Sequence, residues 1–298
     1  MSIRISYSSS NTFQGCNRKF YYQKVKKVPH DPDYQDNSTA LRLGKSFHQV
    51  LEDAFHRKEK LCKEIFQKSF DDNDILSDTE RCMIRAMVHK YLALHTKSGL
   101  SVVAVELEIG NDDYLGYIDV IMKDRNGNWW IVDLKTAARL NESLLSRLSR
   151  DPQLNVYSYF VPKIAELLKL DPHLFAGVRY RVTTKCAIKL NKKEGITDFT
   201  KRCYERIESY DIGIPAESLT PDLVYSQFMS LLTKMNNLEF IKEEEIPQNF
   251  TYCESYFRPC PYWSRCYGET FSNAALQHKI FTSDDIVDLT QADELDLL

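Results

Sequence analysis

Two acidic residues and a lysine stand at positions where they could hold a divalent metal ion. Asp119 lies in one apolar run, and Asp133 and Lys135 lie in the next, within YLGYIDVIMKDRNGNWWIVDLKT. If these runs are paired strands, the two carboxylates converge and repel each other unless a cation lies between them. Oxygen ligands of this kind suit Mg²⁺ or Mn²⁺. Such an ion can polarise a phosphodiester and acidify a water molecule, which Lys135 could hold or help to deprotonate.

The turn between the two runs decides whether the acids meet. Asn126-Gly127 is a strong turn signal, and Gly127 can supply the positive φ that a three-residue hairpin loop needs. The register that follows places Asp119 opposite Asp133, about 5 Å apart at Cβ. Lys135 shares their face because side chains alternate along a strand. A one-residue slip would turn Asp133 away, and acids near strand ends are also commonly solvated.

Flanking helices offer three further polar side chains. His48 lies on the apolar face of a helix expected over 41–57, where it is either another metal ligand or an ordinary core residue. A second helix should follow the Lys135 strand and kink near Pro162. Gln153 and Tyr157 are four residues apart and share its first face, so both could hydrogen-bond a phosphate, a base or a water bound to the ion.

Cysteines predict a second metal site. Three of the eight, Cys253, Cys260 and Cys266, fall within the aromatic segment 252–268. Cys16, which could also be plain core, is the obvious donor for a fourth thiolate. Four thiolates hold either a [4Fe–4S] cluster or Zn²⁺, and the absence of paired C-x₂-C spacing favours the cluster. Either group would join the two ends of the chain and make folding depend on metal.

Composition fits one large domain with an acidic tail. The chain has 298 residues, 43% of them hydrophobic, and no apolar run reaches the roughly 20 residues that span a bilayer. Residues 281–298 hold six acidic and no basic side chains, so residues 1–280 carry a net charge of +3. We expect a single domain over 1–280. The tail is expected to be flexible, and it could aid solubility, dock a protein partner or mimic DNA.

The remaining chain is expected to supply the frame of this domain. Strands are predicted over 101–109 and 176–185, a helical insertion over about 50–98, and mainly helix over 197–243. Basic residues that could contact a DNA backbone, or simply be solvated, are Arg18, Lys19, Lys24, Lys26, Lys27, Lys185, Lys189, Lys192 and Lys193.

Taken together, these motifs resemble the RecB-like branch of the PD-(D/E)xK nuclease superfamily. They are similar to the iron–sulfur exonucleases that include CRISPR-associated RecB-like nucleases and their phage-encoded relatives. GKSFHQVLE resembles the first family motif, GYIDVI the second and VDLKTA the third. Gln153-x-x-x-Tyr157 resembles the Q-x-x-x-Y motif, and Cys16 with the C-terminal trio resembles the cluster ligands.

The resemblance implies an α/β, restriction-endonuclease-like fold, with a mixed central sheet flanked by helices. It implies that the ligands of the catalytic ion are His48, Asp119, Asp133 and the main-chain carbonyl of Leu134. Lys135 would position water, and Gln153 and Tyr157 would orient the substrate. The cluster would be structural. One departure is that the family spacing before Cys260 falls on Phe257, whereas the nearest cysteine is Cys253.

The expected activity is therefore Mg²⁺- or Mn²⁺-dependent hydrolysis of DNA, as an exonuclease rather than an endonuclease, in recombination, repair or phage DNA metabolism. The expected partner is DNA that is single-stranded or has a free end. With no secretory signal and no membrane segment, a cytoplasmic location in a bacterial, archaeal or phage-infected cell is expected. Two alternatives are a catalytically silent DNA-binding or assembly protein on a nuclease fold and a zinc-stabilised interaction protein.

Overall fold

A mixed sheet of five strands forms the centre of the protein. The computed structural model describes residues 4–31, 34, 39–56, 76–148, 150–255 and 258–267. The strands, in spatial order, are β1 (Ser101–Gly110), β2 (Leu115–Lys123), β3 (Trp129–Ala137), β4 (Phe175–Thr184) and β5 (Ser209–Pro215). β3 and β4 run parallel, and the other neighbours are antiparallel. The predicted mixed sheet flanked by helices is confirmed.

Helices occupy both faces of this sheet. They are α1 (Tyr7–Gly15), α2 (Asn17–Phe20), α3 (Thr39–His56), α4 (Asp78–Ser98), α5 (Glu142–Leu148), α6 (Pro152–Tyr159), α7 (Val161–Leu168), α8 (Ile196–Arg206), α9 (Pro221–Asn237) and α10 (Trp263–Tyr267). A π-helical turn spans Tyr21–Val25, and a small hairpin is formed by β6 (Glu254–Ser255) and β7 (Arg258–Pro259). None of the described helices is both long and apolar enough to cross a membrane.

The apolar core is divided between the two faces of the sheet. Side chains of α3, α4 and α8 form one cluster, in which Phe47 and Phe199 are fully buried. Side chains of α1, α2, α6, α7 and α9 form the other, which contains Phe20 and Ile164. β3 contributes alternate residues to the two clusters, for example Ile131 to the second and Val132 to the first, as the period of a strand requires.

Within the expected helical insertion, α3 and α4 are tied to each other at one end. Ser77 and Glu80 form a capping box that starts α4, and Gly99 ends it with a left-handed φ of 68°. Glu80 also forms an ion pair with Arg42 of α3, at a distance of 2.6 Å. The rest of the insertion, residues 57–75, lies outside the described residues, as does the acidic tail 281–298.

The β2–β3 hairpin has the register that the sequence predicts. Lys123 pairs with Trp129, and Val120 pairs with Val132. Gly127 has a φ of 91° in the loop, and Asp124 accepts hydrogen bonds from the main chain inside the turn. Extending this register by one residue places Asp119 opposite Asp133.

Two other elements differ from the sequence expectation. β5 is an antiparallel edge strand in a region expected to be mainly helical. Asp211 of this strand forms ion pairs with Arg179 and Arg181 of β4, at 2.9 and 3.2 Å. The helix expected to kink near Pro162 is fully broken two residues before that proline: Phe160 leaves helical geometry with φ −90° and ψ 9°, so α6 and α7 are separate helices.

Candidate active site

Asp119 lies near the middle of β2 and is oriented by the main chain of the next strand. The main-chain N–H of Leu134 donates to Asp119 Oδ2 at 2.7 Å. The side chain is 19% exposed, and burial raises the pKa of this carboxyl above its usual range. Asp119 is therefore held in one orientation at a place where its charge is disfavoured without a cation.

Asp133 is the most deeply buried polar group of the site. The residue is 2% exposed, and its Oδ2 lies 2.8 Å from Lys135 Nζ. That oxygen has no well-aligned hydrogen bond despite the ion pair. Burial raises the pKa of the Asp133 carboxyl, and the neighbouring charge of Asp119 raises it further against the opposing effect of Lys135. Two carboxylates with raised pKa values, one with an unsatisfied oxygen, form an anionic centre that lacks enough positive charge.

Lys135 links the acid pair to the helix that follows. Its ammonium lies between Asp133 and Gln153, and it donates to Gln153 Oε1 at 2.8 Å. Burial lowers the pKa of Lys135, but the charge of Asp133 and the bond to it raise it more, so the net shift is upward. The amine is therefore protonated near neutral pH, and it can donate hydrogen bonds and offset negative charge.

Gln153 and Tyr157 lie on α6, which begins immediately beside the site. Asp151 caps the helix by accepting from the main-chain N–H of Gln153 at 2.9 Å, with Pro152 in the first turn. Gln153 Nε2 lies 3.2 Å from the Tyr157 hydroxyl. Burial raises the pKa of Tyr157, so its hydroxyl stays protonated. The structure thus joins Asp133, Lys135, Gln153 and Tyr157 into one line of contacts.

A glycine of the second motif makes room for this line. A Cβ on Gly116 would lie 2.8 Å from Cε1 of Tyr157 and 3.0 Å from Cε1 of Tyr114. Contacts this close do not occur without displacement of a ring. The glycine of GYIDVI therefore allows α6 to bring Tyr157 down onto β2.

His48 approaches the acid pair from α3. Its Nδ1 lies 3.8 Å from Asp119 Oδ2, which is too long for a hydrogen bond. Burial lowers the pKa of His48, an effect that outweighs the nearby charge of Asp133. The imidazole is therefore neutral near pH 7, which is the form that binds metal ions.

The donor atoms at this site are of the kind that a hard divalent cation prefers, although the side chains do not yet converge on one position. Within the described ranges, no three His, Cys, Asp or Glu side chains are already grouped as metal ligands. The fit is supported by the unsatisfied Oδ2 of Asp133 and by the burial of both carboxylates. Carboxylate oxygens are the ligands that Mg²⁺ and Mn²⁺ prefer.

A third acid lies next to the pair on the other side. The β1–β2 register carries Glu106 opposite Asp119, between the paired residues Val105 and Leu107. Glu106 has an unusual φ of 46° for a strand residue. Burial raises the pKa of its carboxyl, and the charge of Glu52 raises it further. The backbone irregularity at Glu106 was not predicted from the sequence.

Four cysteines from the two ends of the described chain line one small cavity; they are Cys16, Cys253, Cys260 and Cys266. Its volume of about 10 Å³ is room for about one water-sized sphere. Burial raises the pKa of Cys266 to about 11, so this thiol is protonated. The cysteines are brought together as the sequence predicts, but no group of metal ligands is formed by the residues that the structure describes.

Hydrogen bonds already join the two ends around this cavity. The main-chain N–H of Asp31 donates to the carbonyl of Pro261 at 2.8 Å, and that of Ser264 donates to Asp31 Oδ2 at 2.9 Å. Arg18 Nε donates to the carbonyl of Ile246 at 3.1 Å. Phe257, where the family spacing would place a cysteine, lies outside the described residues.

The fold and the site define an α/β protein in which two adjacent strands present a paired acid and a D-x-K motif. The family model of the PD-(D/E)XK nuclease superfamily matches residues 4–267. The chain belongs to this superfamily, whose members are nucleases. No curated protein is significantly similar in sequence. The crystal structure of SSO0001 is 14% identical, with a TM-score of 0.24, and the match covers 62% of this chain and 74% of that one.

Proposed function

We propose that the protein is a Mg²⁺- or Mn²⁺-dependent deoxyribonuclease that degrades DNA from an end. The observation that carries the proposal is the line of contacts from Asp133 through Lys135 to Gln153 and Tyr157, with Asp119 beside it. A buried acid pair beside a protonated amine is suited to metal-assisted cleavage of a phosphodiester.

Four groups would hold the catalytic ion: His48, Asp119, Asp133 and the main-chain carbonyl of Leu134. When bound, the ion would polarise the phosphodiester and lower the pKa of water. The chain supports this assignment in two ways. Asp133 Oδ2 is buried and, apart from its ion pair with Lys135, has no polar partner, and the Leu134 N–H fixes Asp119 by its Oδ2.

Lys135, Gln153 and Tyr157 would act on the substrate and the attacking water. The ammonium of Lys135 is held by Asp133 and by Gln153 Oε1, both at 2.8 Å. From that place it can orient water and offset the charge that builds up on the phosphate oxygens. Gln153 and Tyr157 offer an amide and a hydroxyl beside it, which can position a phosphate.

Exonuclease action, on DNA that is single-stranded or has a free end, is supported by the resemblance of the ordered motifs to the RecB-like branch. The same resemblance supports a role in recombination, repair or phage DNA metabolism. We further propose that the acidic segment 281–298 docks a protein partner.

We propose that the four cysteines bind a structural [4Fe–4S] cluster, with Zn²⁺ as the alternative. Their side chains line one cavity, and a bound metal would have to displace the proton from a thiol such as Cys266, whose pKa burial raises. Protein purified without oxygen should be brown and contain iron and sulfide. Colourless protein with stoichiometric zinc would support the alternative, and metal-free, folded protein would exclude both.

The activity is tested with end-labelled DNA, single- and double-stranded, in the presence of Mn²⁺ or a chelator. We expect Lys135→Ala to abolish Mn²⁺-dependent cleavage while circular dichroism shows that the variant remains folded. Lys242→Ala is the matched control, because that lysine is exposed and is not among the basic residues expected to contact DNA. DNA binding by the wild type without chelator-sensitive cleavage would instead indicate the catalytically silent alternative. Loss of activity in both variants would contradict the role of Lys135.

A further inference from the structure

A large cavity with both charged and apolar walls lies beside the candidate active site. It has a volume of about 780 Å³ and lies between the end of β3, helix α5 and the start of α6. Lys135, which forms an ion pair with Asp133, is part of its wall, so the cavity adjoins the acid pair. Its other cationic lining residues are Arg139, Arg147 and Arg150. Among the described residues of the lining, the only carboxylate is Asp151, one oxygen of which already caps α6.

The three arginines are available to a ligand. Arg139, Arg147 and Arg150 are all exposed. Among the described residues, none of their side chains forms an ion pair, and the side chain of Arg150 bonds only to Ser146. This concentration of unpaired positive charge stands on a chain whose net charge is −3. A cluster of three arginines is therefore not explained by the overall charge of the chain. Such a cluster forms a surface that attracts anions.

The cavity also has apolar walls and a restricted size. Tyr7, Leu144, Leu148 and Val182 line it alongside the charged groups. Its volume falls in the range of about 300–1,000 Å³ found for ligand pockets. Basic groups combined with an aromatic ring are the usual means of binding a single strand without reading its sequence.

We infer that this cavity binds the backbone of a single DNA strand on one side of the bond that is cut. The inference rests on the proposed function, because it takes the acid pair as the place of cleavage. Arg139, Arg147 and Arg150 contact the phosphates that adjoin the scissile one, and Tyr7 offers a face to a base. The arginines thereby hold the strand in line with Lys135, and they determine affinity and not the chemical step.

Binding without turnover tests the assignment. A labelled single-stranded oligonucleotide and the matching duplex are titrated in EDTA, at several salt concentrations, with the intact chain and with the combined variant Arg139→Gln, Arg147→Gln, Arg150→Gln. Three phosphate contacts on a single strand contribute a slope of about 2 to log K against log[salt]. We expect that slope to fall by about 2 and the Kd for the single strand to rise roughly 10- to 100-fold near 0.1 M salt. In Mn²⁺, KM should rise and kcat stay close to the wild-type value.

The matched control removes three exposed lysines outside the cavity that are not among the expected DNA contacts, Lys97, Lys234 and Lys242, by substitution with Gln. An unchanged Kd and salt slope in the arginine variant, or equal losses in both variants, would overturn the inference. Equal loss of duplex and single-strand binding would overturn the single-strand assignment. If the wild type never cleaves DNA, yet the arginine variant alone loses binding, the proposed activity fails and the binding cavity stands. If the combined variant does not melt as the wild type does, Arg139→Gln and Arg147→Gln are tested singly.

Discussion

Replacing Asp119 with asparagine should make the metal-free protein more stable while removing its activity. Asparagine keeps an oxygen that can accept the 2.7 Å hydrogen bond from the Leu134 N–H. It removes a negative charge that is largely buried and has no cation of its own in the structure. The substitution therefore removes the unfavourable burial of the Asp119 charge while it keeps the shape of the side chain and its hydrogen bond.

The size of the gain follows from the pKa of Asp119. Burial raises this pKa from 3.8 to about 6, and one pKa unit corresponds to about 1.4 kcal/mol. The upper bound is about 3 kcal/mol, and we expect about 1–3 kcal/mol because the side chain is 19% exposed. Since the folded-state pKa is the higher one, the folded protein binds more protons than the unfolded chain. The wild type thus loses stability as the pH rises from about 4 to about 6, and the variant lacks this loss.

Urea denaturation in EDTA, at about pH 4.5 and about pH 7.5, measures the effect. The free energy of unfolding of Asp119→Asn should exceed that of the wild type at the higher pH, and the two should converge at the lower pH. Added Mn²⁺ should stabilise the wild type and not the variant. Asp124→Asn is the control: the turn bonds to Asn128 lower the pKa of Asp124, so no gain is expected at the higher pH. A variant no more stable than the wild type at both pH values would refute the reasoning.

Two further predictions concern packing and the cysteines. Gly116→Ala should cost about 1–3 kcal/mol of stability and slow cleavage, because its Cβ would displace the Tyr157 ring; Gly213→Ala, where a Cβ meets nothing within 4 Å, should leave both unchanged. Equal denaturation midpoints for the two glycine variants would contradict this. Cys260→Ser should lower metal content and melting temperature, whereas Cys203→Ser should lower only the melting temperature, since that thiol is buried in the core. Normal metal content in purified Cys260→Ser would exclude Cys260 as a ligand.

The hairpin could be predicted because its information is local. Asn126-Gly127 selects a short loop, Gly127 takes the positive φ, and alternation along each strand then fixes which residues face each other. The loop length, the φ of Gly127 and the alternation along each strand together place Asp119 opposite Asp133, and all three can be inferred from about 15 residues of sequence. The start of helix α6 could also be predicted, because Asp151 and Pro152 are strong signals for the start of a helix.

Other features depend on contacts that are distant in sequence. β5 completes the edge of the sheet beside β4, where Asp211 meets Arg179 and Arg181. Its sequence, SYDIGIP, does alternate apolar residues at 210, 212 and 214, and the prediction of mainly helix over 197–243 missed this short strand signal. The irregular backbone at Glu106 occurs where β1 lies opposite Asp119 of β2. A pattern within β1 alone contains no information about this contact. The arginine cavity likewise forms only when α5 folds back over the end of β3.

The central claim is that Asp119 and Asp133 share one divalent cation. Calorimetric titration of the intact, EDTA-treated protein with Mn²⁺, beside Asp133→Ala and followed by cleavage of end-labelled DNA, tests it most directly. The account predicts that the wild type binds Mn²⁺ and cleaves DNA, and that the variant remains folded but does neither. Undiminished Mn²⁺ affinity and cleavage in Asp133→Ala would contradict it.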